Sequence, residues 1–202
     1  MPSLFYFGLN VMIMLSTQPT LPLLEPLHFG LGETPVGPAL IVWSKDGIVM
    51  LHLQQSGESD CARIITDVFP GNPLVRSDQD AQKLLKQAFK QGDPDQDALE
   101  RELPLTYLLL GTPFQLKVWQ GLLEIPFGQV RTYGGLAQAL GHPGAARAVG
   151  TAIAANKLAF VVPCHRVVRA SGESGQYRWG AEQKTRILAW EVQQLADSSA
   201  DR

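Results

Sequence analysis

The sequence predicts an α+β protein of two lobes: an N-terminal lobe with a small β-sheet and helices, and a C-terminal lobe that is mostly helical. β-rich runs around a tight turn occur in the first half of the 202 residues, whereas short amphipathic helical patterns dominate after Thr112. Residues 1–111 carry 7 basic and 13 acidic side chains, and residues 112–202 carry 10 basic and 6 acidic ones. If the partner is a polyanion such as DNA, the C-terminal half should contact it.

The first 30 residues are predicted to be an apolar, irregular extension. Residues 1–15 contain no Lys or Arg, so they lack the positive region of a secretory signal. They are also fewer than the roughly 20 residues that span a bilayer. A translation start near Met12 or Met14, or a tail that is disordered or covers the core, is favoured over membrane insertion. Pro and Gly extend the irregular segment across residues 16–38.

The N-terminal lobe is predicted over residues 31–110. Two β-rich runs flank Lys45-Asp46-Gly47, which is a hairpin pattern. The predicted elements in chain order are a hairpin over residues 39–53, helices at 60–69 and 78–91, and a strand at 105–110. The acidic, turn-prone residues 92–97 are expected to connect the lobes.

The C-terminal lobe is predicted over residues 111–197 and begins with a capped helix. Thr112 and Gln115 form a capping-box pattern around Pro113. The predicted elements that follow are a helix at 132–140, a helix at 144–155, a buried strand at 158–162, a loop at 171–180 and a helix at 181–196. A tight turn joins the first two, which predicts a helix-turn-helix. The second is alanine-rich and thin enough to approach DNA closely, although such helices also pack inside cores.

The two cysteines, Cys61 and Cys164, lie far apart in the sequence. Neither a disulfide framework nor a Cys-x-x-Cys site is indicated, and free thiols fit a reducing cytoplasm. The four histidines are scattered, so no metal site is predicted.

Cys164 is the candidate nucleophile. His165 follows it directly, and an imidazole can accept a thiol proton either directly or through a water. Glu191 is the candidate partner of the imidazole, because it stands at the edge of the apolar stripe of the last helix, where an unpaired carboxylate is costly. The alternative is structural: a small buried cysteine beside a surface histidine, with Glu191 paired to Arg166 or Arg169.

Taken in order, these residues resemble the O6-alkylguanine-DNA alkyltransferase family. Residues 163–167, Pro-Cys-His-Arg-Val, match the signature of that family. The other matching positions are Phe114, Gln115, Val118, Trp119, Ile125, Pro126, Gly128, Tyr133, Arg147, Ala148, Val149, Gly150, Asn156, Tyr177, Lys184 and Glu191. The resemblance is strong over residues 112–191 and weaker in the N-terminal lobe, and it is greatest to the C-terminal repair domain of the bacterial adaptive-response regulator.

The resemblance implies a ribonuclease-H-like N-terminal lobe and a winged helix-turn-helix that carries the active-site cysteine. Cys164 would take the alkyl group from O6-alkylguanine irreversibly, once per molecule and without a cofactor; activity on O4-alkylthymine stays open. His165 would act as the base through a water, with Glu191 orienting it. Asn156 would brace the active-site turn, and Tyr133 would donate a proton or hydrogen bond to the departing base.

The implied partner is double-stranded DNA containing O6-alkylguanine, bound in the minor groove by a monomer in the cytoplasm, at the nucleoid. The damaged base would be flipped out of the duplex, because it cannot be reached inside the stack. The implied DNA- and base-binding residues are Arg147, Ala148, Gly150, Val167, Tyr177, Arg178 and Trp179. Arg147 would fill the vacated place in the stack, and backbone groups around Val167 and Arg178 would read the guanine edge. Trp179 would narrow the pocket wall and disfavour benzyl adducts.

The sequence departs from the family pattern at a few positions, which should be tolerated, and two rival functions are weighed beside the resemblance. Gly134-Gly135 replace a more usual glutamine pair, Gln176 stands where glycine or asparagine is common, and the zinc ligands of some relatives are not recognisable. A lesion-binding module of the alkyltransferase-like class lacks the acceptor cysteine, so Cys164 argues against it. A Cys–His hydrolase would need an oxyanion hole, and no sequence feature beyond the dyad favours that reading.

Overall fold

The computed structural model describes residues 3–6, 11–17, 21, 25–54, 60–90, 105–173 and 175–200. The chain is mixed α/β and divides into two compact units, Met1–Thr112 and Pro113–Arg202. Most of the sheet lies in the first unit, and most of the helical residues lie in the second.

A mixed sheet forms the centre of the N-terminal unit. The elements are β1 (Ser3–Tyr6), β2 (Val11–Ser16), β3 (Leu27–Thr34), β4 (Gly37–Ser44), β5 (Gly47–Leu53), α1 (Cys61–Val68), β6 (Leu74–Arg76), α2 (Asp78–Lys90) and β7 (Leu105–Leu110). Within the described residues the strand order is β1-β2-β7-β5-β4-β3-β6. Strands β3, β4 and β5 form an antiparallel meander, whereas β7 pairs in parallel with both β2 and β5.

The predicted hairpin is confirmed as β4 and β5. Gly47 closes it with a φ of +145°, and a Cβ there would lie 2.7 Å from the carbonyl oxygen of Thr106. Glycine is therefore the residue that this turn accommodates. The predicted helices at 60–69 and 78–91 are confirmed as α1 and α2, and the strand at 105–110 is β7. Buried residues of β3, β4, β5, α1 and β7, among them Leu40 and Ile65, pack in one apolar core.

The prediction of an irregular N-terminal extension is wrong for the described residues. Residues 3–6, 11–16 and 27–34 are strands, and β2 pairs along its whole length with β7, from Val11 opposite Leu105 to Ser16 opposite Leu110. Ile13 and Leu15 of β2 are buried, whereas Met12 and Met14 are partly exposed, as in a strand whose alternate side chains face the core. The expected connector at residues 92–97 lies outside the described residues.

Short helices and tight turns form the C-terminal unit. The elements are α3 (Pro113–Leu123), β8 (Arg131–Thr132), α4 (Tyr133–Ala139), α5 (Ala146–Ala154), a 3₁₀ turn (Cys164–Arg166), β9 (Val167–Val168) and α6 (Ala181–Ala200). The four predicted helices are confirmed, with ends that move by up to four residues. Thr132 caps α4 by accepting a hydrogen bond from the Gly135 amide at 3.0 Å. The indole of Trp119 on α3 donates to the Ala152 carbonyl of α5 at 2.8 Å, which ties the two helices together.

The predicted strand at residues 158–162 is wrong. The segment is largely buried, but it turns: the Val161 amide donates to the Ala159 carbonyl at 2.7 Å, and the Val162 amide to the Leu158 carbonyl at 3.1 Å. Phe160 between them has a φ of +66°. A short apolar run indicates burial but does not distinguish a strand from a buried turn.

Candidate active site

Cys164 begins the 3₁₀ turn and is 3% exposed. The side-chain amide of Asn156 donates to its sulfur at 3.3 Å. The same amide nitrogen also contacts the carbonyls of Leu158 at 3.1 Å and Val162 at 3.2 Å, and its oxygen accepts from the Leu158 amide at 2.9 Å. Asn156 therefore holds both the thiol and the turn that precedes it.

Burial raises the pKa of the Cys164 thiol, and the Asn156 amide, the Tyr177 hydroxyl and the Lys184 ammonium oppose that rise without cancelling it. The Tyr177 hydroxyl oxygen is buried and lies close enough to influence the thiol, yet it makes no hydrogen bond of standard geometry within the described residues. The resting group is therefore a neutral thiol, and a base must take its proton before it can attack.

His165 is the candidate base, and it is fully buried together with Glu191. Its Nε2 lies 2.8 Å from Oε1 of Glu191, and Nδ1 has no hydrogen-bond partner among the described residues. Because a carboxylate can only accept, Nε2 carries the proton and Nδ1 presents a lone pair. Burial lowers the pKa of His165, and the hydrogen bond to Glu191 only partly opposes this. The imidazole is therefore neutral and able to accept a proton.

Glu191 is held by three partners. Besides His165, Arg166 donates to it from Nε at 2.9 Å and from Nη2 at 2.7 Å, and the Gly128 amide donates at 3.0 Å. Burial would raise the pKa of Glu191, but the bonds from His165 and Arg166 outweigh that effect and lower it. The carboxylate is thus ionised at neutral pH. Both pairings that the sequence left open, with His165 and with Arg166, occur together, whereas Arg169 pairs with Glu173 at 3.1 Å.

An open pocket of about 1070 Å³ gives access to Cys164. Its lining comes from α4, α5 and the loop before α6: Tyr133, Ala146, Arg147, Gly150, Thr151, Ile153, Ala154, Cys164, Arg169, Gly175, Gln176, Tyr177, Arg178 and Ala181. Three of these residues are arginines and none is acidic, so the pocket favours an anionic or electron-rich ligand. Burial raises the pKa of Tyr133, which keeps its hydroxyl protonated and able to donate.

Six of the predicted site residues lie outside the pocket lining. Asn156, His165 and Glu191 belong to the buried network around Cys164 and the 3₁₀ turn, whereas the other three belong to neither. Ala148 is exposed on α5, and Val167 is fully buried in β9, where its carbonyl accepts a hydrogen bond from Lys184. Trp179 is 1% exposed and packs edge to face on Tyr177, with ring centroids 5.2 Å apart. The expectation that Trp179 forms a pocket wall does not fit this pocket lining, because its indole is buried against Tyr177. The predicted effect of Trp179 on benzyl adducts stays a prediction.

The sequence did not predict that the side chains of Lys184 and Arg166 are enclosed by the fold. Lys184 is fully buried, and burial lowers its pKa to about 8, although the neighbouring Cys164 opposes that shift. Both residues stood within the matched segment, but an isolated Lys or Arg is usually exposed, and only the fold reveals that these two are enclosed. Within the described residues, no group of three or more His, Cys, Asp or Glu side chains could hold a metal ion. No described helix is long and apolar enough to cross a membrane.

Comparisons with known proteins agree with this geometry. The family model described as the DNA-binding domain of 6-O-methylguanine DNA methyltransferase matches residues 113–193. The chain is 37% identical over 193 residues to a methylated-DNA–protein-cysteine methyltransferase of Lodderomyces elongisporus, an alignment that covers 84% of this chain and 94% of that protein. The chain belongs to the methylated-DNA–protein-cysteine methyltransferase family.

Other members of the family differ in length. The chain is 36% identical over 171 residues to the Escherichia coli bifunctional transcriptional activator/DNA repair enzyme Ada, over 83% of this chain but 46% of Ada. It therefore spans about half the length of that relative. The crystal structure of Mycobacterium tuberculosis OGT in complex with DNA superposes with a TM-score of 0.62 at 30% identity, covering 83% of this chain and 94% of that one.

Proposed function

We propose that this methyltransferase-family protein repairs O6-alkylguanine in DNA by moving the alkyl group to its own Cys164. The sulfur forms a bond to the alkyl carbon as the bond between that carbon and O6 breaks. The thiol proton passes to Nδ1 of His165, directly or through a water, and the electron pair of the broken bond stays on guanine, where Tyr133 supplies a hydrogen bond or proton. The thioether is stable, so one molecule performs one transfer.

A single observation carries this proposal: a buried thiol opens into a cationic pocket and is followed by His165, a neutral imidazole whose Nδ1 has no hydrogen-bond partner in the described part of the chain. The thiol and the base are both neutral at rest, so proton transfer is coupled to attack on the substrate. Glu191 stays ionised and stabilises the imidazolium that forms. The relatives named as methyltransferases support the chemistry, since the Pro-Cys-His-Arg segment lies within the aligned region.

The pocket supports extrusion of the damaged base from the duplex. Its volume lies slightly above the range of about 300–1,000 Å³ that is usual for sites that enclose a small ligand. The base enters between Tyr133 and the exposed face of α5, which presents Arg147, Gly150 and Thr151. The Arg147 side chain would fill the space that the flipped base leaves in the stack. The small residues of α5 would let this helix approach the minor groove closely.

The finer architecture belongs to the same proposal. Helices α4 and α5, joined by a turn with Gly141 at φ +79°, would form the helix-turn-helix, and the short β8–β9 sheet would be its wing. The antiparallel meander with a parallel strand β7 beside it supports a ribonuclease-H-like N-terminal lobe. A monomeric state belongs to the proposal as well, and two free cysteines suit the cytoplasm.

A stoichiometric repair assay tests the proposal. Duplex DNA with one O6-methylguanine is mixed with protein at several ratios, and restored guanine is counted after the reaction ends. The expected result is one guanine restored per protein molecule and no further repair when fresh DNA is added. Repeated turnover, or binding of the lesion without restoration of guanine, would contradict the proposal, and the Cys164→Ser variant provides the binding-only control.

A further inference from the structure

We propose that Phe160 is a positioning residue for the alkyl transfer: its ring fixes the plane of the His165 imidazole and keeps water away from the His165–Glu191 pair. This inference rests on the proposed function, in which His165 is the base. Phe160 does not line the pocket and cannot touch the substrate there, so it acts through His165 alone.

The backbone at Phe160 is strained. Its φ of +66°, with the hydrogen bond of 2.7 Å from the Val161 amide to the Ala159 carbonyl, makes it the central residue of a γ-turn of the rare positive-φ type. Among the described residues it is the one non-glycine position with positive φ. Glycine would adopt this conformation without strain, so a bulky side chain here requires a compensating contact.

The compensating contact is aromatic. The Phe160 ring lies parallel to the His165 imidazole, with an interplanar angle of 5° and a centroid distance of 6.3 Å. Phe160 also meets Trp190 edge to face at 5.4 Å, and Trp190 meets Phe127 in the same way at 5.8 Å. The Arg166 guanidinium lies over Phe127, 5.3 Å from the ring centroid. Phe127, Phe160 and Trp190 thus form an aromatic cluster that surrounds the buried ion pairs.

The titratable groups near His165, three of them charged and the Cys164 thiol neutral, come from two elements. Glu191 and Lys184 lie on α6, and Cys164 and Arg166 lie on the 3₁₀ turn itself. Residues 158–162, which carry Phe160, contain no titratable side chain, and the charged residues of α3, Lys117 and Glu124, are exposed. On its Phe160 side the imidazole therefore meets only an apolar ring. Loss of the ring would admit water there, which stabilises the imidazolium and raises the pKa of His165.

The test compares three single substitutions in the full-length protein. Phe160→Leu keeps an apolar side chain without the flat ring, and Phe160→Gly removes the side chain while accepting the positive φ. Phe114→Leu is the matched control, because Phe114 also packs on a histidine, His142, with ring centroids 5.9 Å apart, but lies outside the pocket lining. The imidazole resonances of His165 are titrated by nuclear magnetic resonance without DNA, and the transfer rate constant is measured against pH on methylated duplex.

The expected result is a higher midpoint for His165 in both Phe160 variants, by about one pH unit in Phe160→Gly and less in Phe160→Leu. The acidic limb of the transfer rate should move by the same amount, giving a loss of about tenfold below the midpoint, whereas Phe114→Leu changes neither. An unchanged His165 titration in a folded Phe160 variant would overturn the inference. If the wild-type protein transferred no methyl group while the titrations differed as expected, the proposed function would fail and the positioning of His165 would stand.

Discussion

Replacement of Glu191 by glutamine is the sharpest test of the buried network. The carboxylate is fully buried and accepts hydrogen bonds from His165, Arg166 and the Gly128 amide. Glutamine keeps the volume and can still accept from Gly128, so the main loss is the negative charge. Arg166, whose side chain is 11% exposed, would then be an almost buried cation without a counter-charge. Breaking a buried pair in this way costs about 3–5 kcal/mol.

The structure favours the lower end of that range, about 3 kcal/mol, because Arg166 retains its bond of 2.7 Å to the Ile125 carbonyl and the face of Phe127. The double variant Arg166→Met with Glu191→Gln removes both charges and should unfold within about 1 kcal/mol of wild type, so the two changes should be strongly non-additive. Urea unfolding followed by tryptophan fluorescence reports mainly this unit, since three of the four tryptophans, Trp119, Trp179 and Trp190, lie in it.

The contribution of Glu191 to the free energy of unfolding depends on pH with a defined sign. The pKa of Glu191 is lower in the folded protein than in the unfolded chain, so its contribution is complete above the unfolded value of about 4.3 and is lost as the pH falls through the folded value. The difference between wild type and Glu191→Gln should therefore shrink below pH 4. A Glu191→Gln protein within about 0.5 kcal/mol of wild type at pH 7, or a double variant that costs the sum of the two, would refute this reasoning.

Three further predictions follow from the site and its supports. Arg147→Ala should retain transfer from the free alkylguanine base but lose repair of duplex DNA, and an equal loss in both assays would mean that Arg147 is structural. Tyr177→Phe should raise the pKa of Cys164 further, because the hydroxyl opposes that rise, and a thiol-alkylating reagent should then label Cys164 several-fold more slowly at pH 8. Gly128→Ala should destabilise the protein by about 1–2 kcal/mol, because Gly128 has a φ of +72° and a Cβ there would meet Leu195. Gly134→Ala should instead stabilise the protein by about 0.5–1 kcal/mol, because Gly134 lies on α4 with open space around it. Equal changes in the free energy of urea unfolding for the two variants would contradict this prediction.

The sequence predicts the helices of the C-terminal unit well because their signals are local. Thr132 as a cap and Pro113 at a first helical position act through their immediate neighbours. The turn at residues 158–162 could not be predicted, since its shape depends on Asn156 bonds to two carbonyls and on the packing of Phe160 against His165. Strands β1 and β2 were missed for a similar reason, because β2 pairs with β7, about 94 positions away along the chain, and β1 pairs with β2.

The site residues likewise divide into those that the sequence predicts and those that only the fold reveals. Cys164 and His165 were predicted because they belong to a recognisable motif. Glu191 was predicted because a carboxylate that faces the core needs a partner. The burial of Lys184 and the double role of Arg166 depend on how α6 packs against the 3₁₀ turn, which no spacing in the sequence encodes. Trp179 was wrongly expected to line the pocket, because a sequence match fixes the position of a residue along the chain but not whether its ring faces the pocket or the core.

The most direct test of the account is the location of the transferred group. The protein is incubated with duplex DNA that contains O6-methylguanine, digested, and examined by tandem mass spectrometry, with Cys61 as an internal control because it is also a free, buried thiol. The account predicts one methyl group on the peptide that contains Cys164 and an unmodified Cys61. Methylation of Cys61 instead, or an unmodified protein after the lesion has been bound, would contradict it.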